Sequence, residues 1–248
     1  MGSWAYVGRL LPTGAVCLLA AACAAAPHPG APVAMPTQAA WESSAKFGLW
    51  RDGDFDVYNN AWNAAAAGPQ TVWADSYRHW GVVSDQADTS SVKTYPCVQE
   101  NFARTSLTAL RALTSSFAES MPPAADSYDA EAAYDIWLDD YRDEVMVWVD
   151  NHGQQPAGIV SSEAVLAGQH FRVYLGNAHM VSLVLAGTHE AKGSVNLLLV
   201  LRWLVGHGYL RSTDTLTQVD FGWEIVSTDR VPLGFTLRGY SLSVARRA

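Results

Sequence analysis

The octapeptide from Asp143 to Asp150, Asp-Glu-Val-Met-Val-Trp-Val-Asp, constrains this chain more than any other stretch. Its polarity alternates with period two, the pattern of a strand with two distinct faces. Val145, Val147 and Val149 share one face and read as core. Glu144, Met146 and Trp148 share the other. A strand that simply met water on its second face would have no use for Met and Trp, and one buried on both sides would not tolerate Glu. A concave sheet holding a sugar polymer accounts for all three: a carboxylate for chemistry, an indole as a stacking platform and a soft side chain between them.

The stretch from Gln218 to Val226 repeats the logic. Val219, Phe221, Trp223 and Ile225 form an apolar face, and Gln218, Asp220, Gly222 and Glu224 a polar one, with Gly222 leaving room for a close approach. Two strands that each place a Glu on the non-core face suggest a carboxylate pair. Glycoside hydrolysis needs such a pair, one on either side of the scissile bond. Against this, a Glu on the outer face of an antiparallel strand is ordinarily just solvated, so periodicity alone leaves both readings open.

A resemblance favours the catalytic one. Glu144-Val-Met-Val-Trp-Val resembles the nucleophile strand of the family 12 glycoside hydrolases, commonly Glu-Leu-Met-Ile-Trp-Leu there. Phe221-Gly-Trp-Glu224 resembles that family's acid/base strand, and the two occur in the family's order. The chain departs from the family after Glu224, where Ile225-Val226 replaces a common Pro-Phe. The resemblance covers most of residues 55–244 and implies an all-β jelly-roll sandwich of two antiparallel sheets, with a concave substrate cleft and one helix on the outer face. It implies endo-acting hydrolysis of a β-1,4-glucan with retention, Glu144 attacking and Glu224 serving as acid and then base. Asp135, in Ala-Tyr-Asp-Ile, would lie beside the nucleophile. Asn60 and Trp62 match a segment that borders the cleft and supplies a stacking indole. Pro156 matches a loop at the aglycone side, and Asn177 a cleft Asn. With Met146 and Trp148 from the nucleophile strand, these are the expected substrate-binding residues.

The rest of the chain fits one large all-β domain: 248 residues, 49% hydrophobic and 16% charged. Residues 1–23 read as an export signal, with Arg9 ahead of an apolar run too short to span a bilayer. Leu19-Ala-Ala-Ala-Cys23 resembles a bacterial lipoprotein box. Two outcomes remain open, a lipid anchor at Cys23 or ordinary cleavage at a small-residue site; both place the protein outside the cytoplasm. Residues 24–40 are a Pro/Ala-rich tether, and the catalytic domain is expected over 41–248. Cys17 lies in the leader and Cys23 at the processing site, which leaves Cys97 as an inert thiol with no partner for a disulfide.

A net charge of −8 opposes nucleic acid or an anionic membrane as a partner, whereas ten Trp and ten Tyr suit the flat faces of pyranose rings. Nothing calls for an obligate protein partner, a metal or an organic cofactor. Asp52–Asp56 resembles the opening of a calcium loop without its glycine, and reads as a turn before a strand. His189-Glu190 lacks the second His of a zinc helix. The segment from Ser91 to Pro96 is expected as a strand, and Ser194–Val205 as a helix capped by Ser194. A non-catalytic glycan-binding jelly roll on the cell surface is the competing reading; it would keep Trp62 and Trp148 without needing both Glu. A tethered surface protein with a purely structural role would need neither cleft nor acidic pair.

Overall fold

The computed structural model describes residues 39–124, 126–177, 179–187 and 190–247. The expected export signal, Cys23, most of the expected tether and His189 lie outside the described residues. Among the described residues, no helix is long and apolar enough to cross a membrane.

The described residues form fifteen strands joined by turns and loops. In chain order they are β1 (Trp41–Ser43), β2 (Leu49–Asp52), β3 (Phe55–Tyr58), β4 (Gln70–Ser76), β5 (His79–Ser84), β6 (Cys97–Ser106), β7 (Leu110–Ser120), β8 (Asp129–Leu138), β9 (Asp143–His152), β10 (Ile159–Leu166), β11 (Gln169–Leu175), β12 (Met180–Leu185), β13 (Lys192–Val195), β14 (Thr215–Ser227) and β15 (Leu233–Arg246). They form two layers. The outer sheet runs β1-β4-β5-β15-β7-β13 and the inner β10-β11-β12-β9-β8-β14-β6-β3-β2. The expected jelly-roll sandwich is the fold found. Its sheets are antiparallel except for one pair: β12 runs parallel to β9, because β10, β11 and β12 form a meander that returns its last strand to the edge of β9.

The core fills the space between the sheets, where the apolar faces read from the sequence meet. Val145, Val147 and Val149 of β9, Tyr134, Ile136 and Leu138 of β8, and Val219, Phe221, Trp223 and Ile225 of β14 all belong to it. Each such side chain taken out of water stabilises the fold by about 1.5–3 kcal/mol. Burying these odd positions of β9 and β14 forces the even ones onto the opposite, concave face, which places the two Glu strands side by side with β8 between them.

Two local expectations are corrected. Residues 91–96 form a loop whose strand-like pairing is a single isolated bridge from Thr94 to Ile225; β6 starts after Pro96, where a proline would otherwise remove a ladder donor. The departure at Ile225 serves this loop, because the Ile225 N–H donates to the Thr94 carbonyl (3.0 Å) and a proline there could not. The α-helix is α1 (Leu197–Gly206), capped by Asn196, whose side chain accepts from the Leu199 N–H (3.0 Å). Ser194 belongs instead to β13, paired with Ser116 of β7, since edge pairing with β7 supplies partners that a longer helix would forfeit. The helix packs on β7 of the outer sheet, as expected. Asp52–Asp56 is a hairpin turn between β2 and β3, with Gly53 at φ 67° and Asp56 held by Arg51 (2.8 Å).

Candidate active site

Register across β9, β8 and β14 decides which side chains meet on the concave face. Trp137 of β8 stands opposite Glu144 on one side and Gln218 on the other; Asp135 stands opposite Met146 and Asp220; Glu131 stands opposite Asn151 and Glu224. The face opens into a cleft of about 440 Å³ that holds Glu144, Glu224, Asp135 and Asp220 together. Tyr58, Asn60 and Trp62 line it toward the β3 edge, and Trp137, Tyr141 and Met180 toward β9 and β12. Tyr141 reaches the rim from a turn in which Asp139, Asp140 and Tyr141 all have positive φ (48°, 56° and 65°). That backbone is unfavourable for residues with a Cβ. It is held by Thr215 N–H donating to Asp139 (2.7 Å) and Asp140 N–H donating to Thr217 Oγ1 (2.9 Å).

The carboxyls are crowded and poorly hydrated. Burial, then the charge of Glu224, raises Glu144 to about 7. Burial raises Glu224 too, opposed by Glu131 and by Gln154, whose Nε2 donates to Glu224 Oε2 (3.0 Å). Asp135 is driven well up, first by burial and then by Glu144, Asp220 and Glu224; burial does the same to Asp220. Neighbouring carboxyls that interact give up their protons in separate steps. A site built this way can present a carboxylic acid beside a carboxylate, which is the equipment of acid–base or nucleophilic chemistry.

Of the residues singled out by sequence, Glu144, Glu224, Asp135, Asn60 and Trp62 meet in this cleft. Trp62 is 52% exposed, an indole face open to a ligand. Trp148 is the main correction: it is 2% exposed and packs with Met146 and Ala133 in a small cluster under Val184, so it offers no face for a sugar to stack on. Met146, 3% exposed, is corrected with it: Met146 and Trp148 form a second apolar seam beneath the cleft wall, where the large indole gains more from packing than from facing water, and only Glu144 of that row lines the cleft. Pro156 is half-buried and does not line the cleft; its loop contributes Gln154 instead. Asn177 is exposed in the β11–β12 turn, where its Oδ1 accepts from the His179 N–H (2.9 Å), and Met180 of the same turn lines the cleft in its place. Gly222 does permit a close approach, but to the β6 backbone: a Cβ there would sit 2.0 Å from the Pro96 carbonyl oxygen.

Sequence reading missed Tyr58, Tyr95, Gln154 and Tyr141 and passed over Glu131. Period two from Asp135 was enough to find Glu131, whereas Tyr95, Gln154 and Tyr141 lie in turns and loops and Tyr58 ends the short β3. Cys97 is buried, and burial pushes its thiol well up, consistent with an inert group. The carboxyls of Asp139, Asp143 and Asp214 also gather, away from the cleft, but Arg142 and Arg211 already pair with them.

A concave jelly roll whose cleft brings two glutamates together has the carboxyl pair that a glycoside hydrolase needs. Comparison with known proteins narrows the class. No protein-family model matches the chain. It is 27% identical over 233 residues to a probable xyloglucan-specific endo-beta-1,4-glucanase of Neosartorya fischeri, covering 86% of this chain and 95% of that protein. The xyloglucanase domain of NopAA from Sinorhizobium fredii, solved with cellobiose, superposes with a TM-score of 0.76 at 25% identity, over 84% of this chain and all of that one. A family 12 xyloglucanase from Bacillus licheniformis shares the fold with a TM-score of 0.72 at 20% identity, over 83% of this chain and all of that one. The resemblance to the family 12 glycoside hydrolases, carried in the sequence by the strands of Glu144 and Glu224, is borne out by relatives and fold.

Proposed function

We propose that the chain is an endo-acting β-1,4-glucanase that works with retention, Glu144 being the nucleophile and Glu224 the acid/base. The observation that carries this reading is the meeting of Glu144 and Glu224 in one cleft, on strands separated only by β8. A Glu144 oxygen attacks the anomeric carbon while the Glu224 proton passes to the departing glycosidic oxygen, leaving a glycosyl ester on Glu144. The ester carries no charge, so its formation removes the repulsion between the two groups and makes Glu224 a stronger acid and a readier carboxylate. Glu224 then takes a proton from water, whose oxygen attacks the same carbon and frees Glu144. Such a double displacement requires the carboxyls about 5–5.5 Å apart. Asp135, charge-coupled to both, would hold a proton beside Glu144 and so add no third charge.

The roles of Glu144 and Glu224 follow from the resemblance, since either carboxyl can in principle serve either role. The substrate class follows the relatives, and Trp62 is the exposed ring suited to a glucose face. A non-catalytic glycan-binding module would keep Trp62, but it would gain nothing from removing several carboxyls from water, which is costly unless the site uses them. Export past the cytoplasmic membrane, with or without a lipid at Cys23, belongs to the same proposal; the mass of the mature N-terminus tests it.

Reducing-sugar release from carboxymethylcellulose, xyloglucan and mixed-linkage glucan tests the activity. The wild type should cleave at least one of them, and Glu144→Gln should lose turnover by orders of magnitude while still binding glucan. Hydrolysis by that variant at the wild-type rate would sink the assignment.

A further inference from the structure

The Glu224 carboxyl has a neighbour that the reaction above does not use. Glu131 stands directly opposite it in the β8–β14 ladder. Period two along β8 puts the Glu131 side chain on the cleft side with Asp135 and Trp137, while Ala130, Ala132 and Tyr134 face the core. Glu131 is completely buried, and neither of its oxygens meets a partner at ordinary hydrogen-bond geometry. A buried carboxyl left in that state is costly, most of all as an anion.

The groups around it offer no cation. Glu224 faces it from β14, and Asp135 follows on its own strand. The Tyr95 hydroxyl, ahead of β6, is committed to the Ala133 carbonyl (3.0 Å). Asn151, opposite on β9, is engaged with Gln154 through its Nδ2 (2.9 Å) and Oδ1 (3.2 Å). Burial, and after it the charge of Glu224, pushes Glu131 well above the ordinary carboxyl range. Glu224 lines the cleft and already accepts from Gln154 Nε2 (3.0 Å), whereas Glu131 is fully buried with no donor of its own. A proton held between the two carboxyls therefore rests on Glu131, with its O–H toward Glu224.

We propose that Glu131 is a positioning residue: it keeps its proton across the working pH range and donates a hydrogen bond from that O–H to the Glu224 carboxylate. Glu224 then has two donors, Gln154 Nε2 and Glu131, in a cleft with little water to replace them. The donors fix the carboxylate in place and stabilise it in the step where it must act as a base. This consequence rests on the acid/base reading of Glu224; the protonation of Glu131 does not.

Two measurements on the intact protein test the proposal. In protein labelled with carbon-13 at the glutamate carboxyls, the signal absent from Glu131→Gln identifies Glu131. It should hold the position of a neutral acid to pH 7 and above. Titration in the ordinary range near about 4.3 would overturn the proposal, whether or not the protein cleaves glucan. The second measurement is kcat/KM against pH on a glucan. Glu131→Ala should move the basic limb to higher pH, because Glu224 loses a donor to its anion, and Glu131→Gln, which keeps an N–H donor of the same reach, should fall between it and the wild type. A lower rate at every pH with an unmoved basic limb in both variants would reduce Glu131 to a packing role and refute the proposal.

Discussion

Replacing Glu119 by glutamine should flatten the dependence of folding stability on pH. Glu119 sits on β7, buried between the sheets, and its Oε2 accepts from Trp223 Nε1 (3.2 Å). Burial raises it from 4.5 to about 8 against the pull of the Trp223 bond, with Asp150 adding to the rise. Over that window the folded chain holds a proton that the unfolded chain has released. A carboxyl raised in this way contributes stability that is complete below the unfolded value and lost as pH rises through the folded one. At about 1.4 kcal/mol per pKa unit, the whole window is worth at most about 5 kcal/mol. A buried carboxyl that interacts with a neighbouring charge releases its proton over a broader range than an isolated one, and about 2–3 kcal/mol is the expectation. The Glu119→Gln variant would keep an acceptor for Trp223 and the same volume but has nothing to titrate. Urea unfolding of both proteins from about pH 5 to about pH 8, analysed as two-state transitions, should show the variant gaining about 2–3 kcal/mol on the wild type as pH rises. Stability curves that run parallel across this range would refute the reasoning.

The two tryptophans of the expected binding set should separate cleanly. Trp62→Ala should raise KM for glucan and change stability by less than about 0.5 kcal/mol, whereas Trp148→Ala should cost about 3–5 kcal/mol of stability through the cavity it leaves; steady-state kinetics and thermal melts of both variants decide. Asn196→Ala should cost about 1 kcal/mol by removing the cap of α1, while Ser194→Ala should leave the helix as stable as before, read by denaturant unfolding.

Much of this molecule is legible in the sequence because strands state their faces. The alternation in β8, β9 and β14 put Val147, Tyr134 and Phe221 in the core and Glu144, Asp135 and Glu224 on the opposite face, and the structure agrees. What alternation cannot state is whether the non-core face is open or covered. Trp148 and Glu144 share a face, yet one is buried under Val184 and the other lines the cleft. Backbone partners distant in sequence decide the rest. Asn196 rather than Ser194 caps α1 because Ser194 pairs with Ser116 on β7. Gln154 reaches Glu224 across 70 positions of the chain, and no local pattern announces it.

The two glutamates are told apart by which of them forms a bond to sugar. Incubation with 2,4-dinitrophenyl 2-deoxy-2-fluoro-cellobioside should slow the second displacement more than the first and let the glycosyl-enzyme accumulate. Intact mass should then rise by one fluorocellobiosyl group, and peptide mapping should place it on Glu144. Attachment to Glu224, or continued turnover of natural glucan by a protein that never forms the adduct, would contradict the assignment of Glu144 as nucleophile.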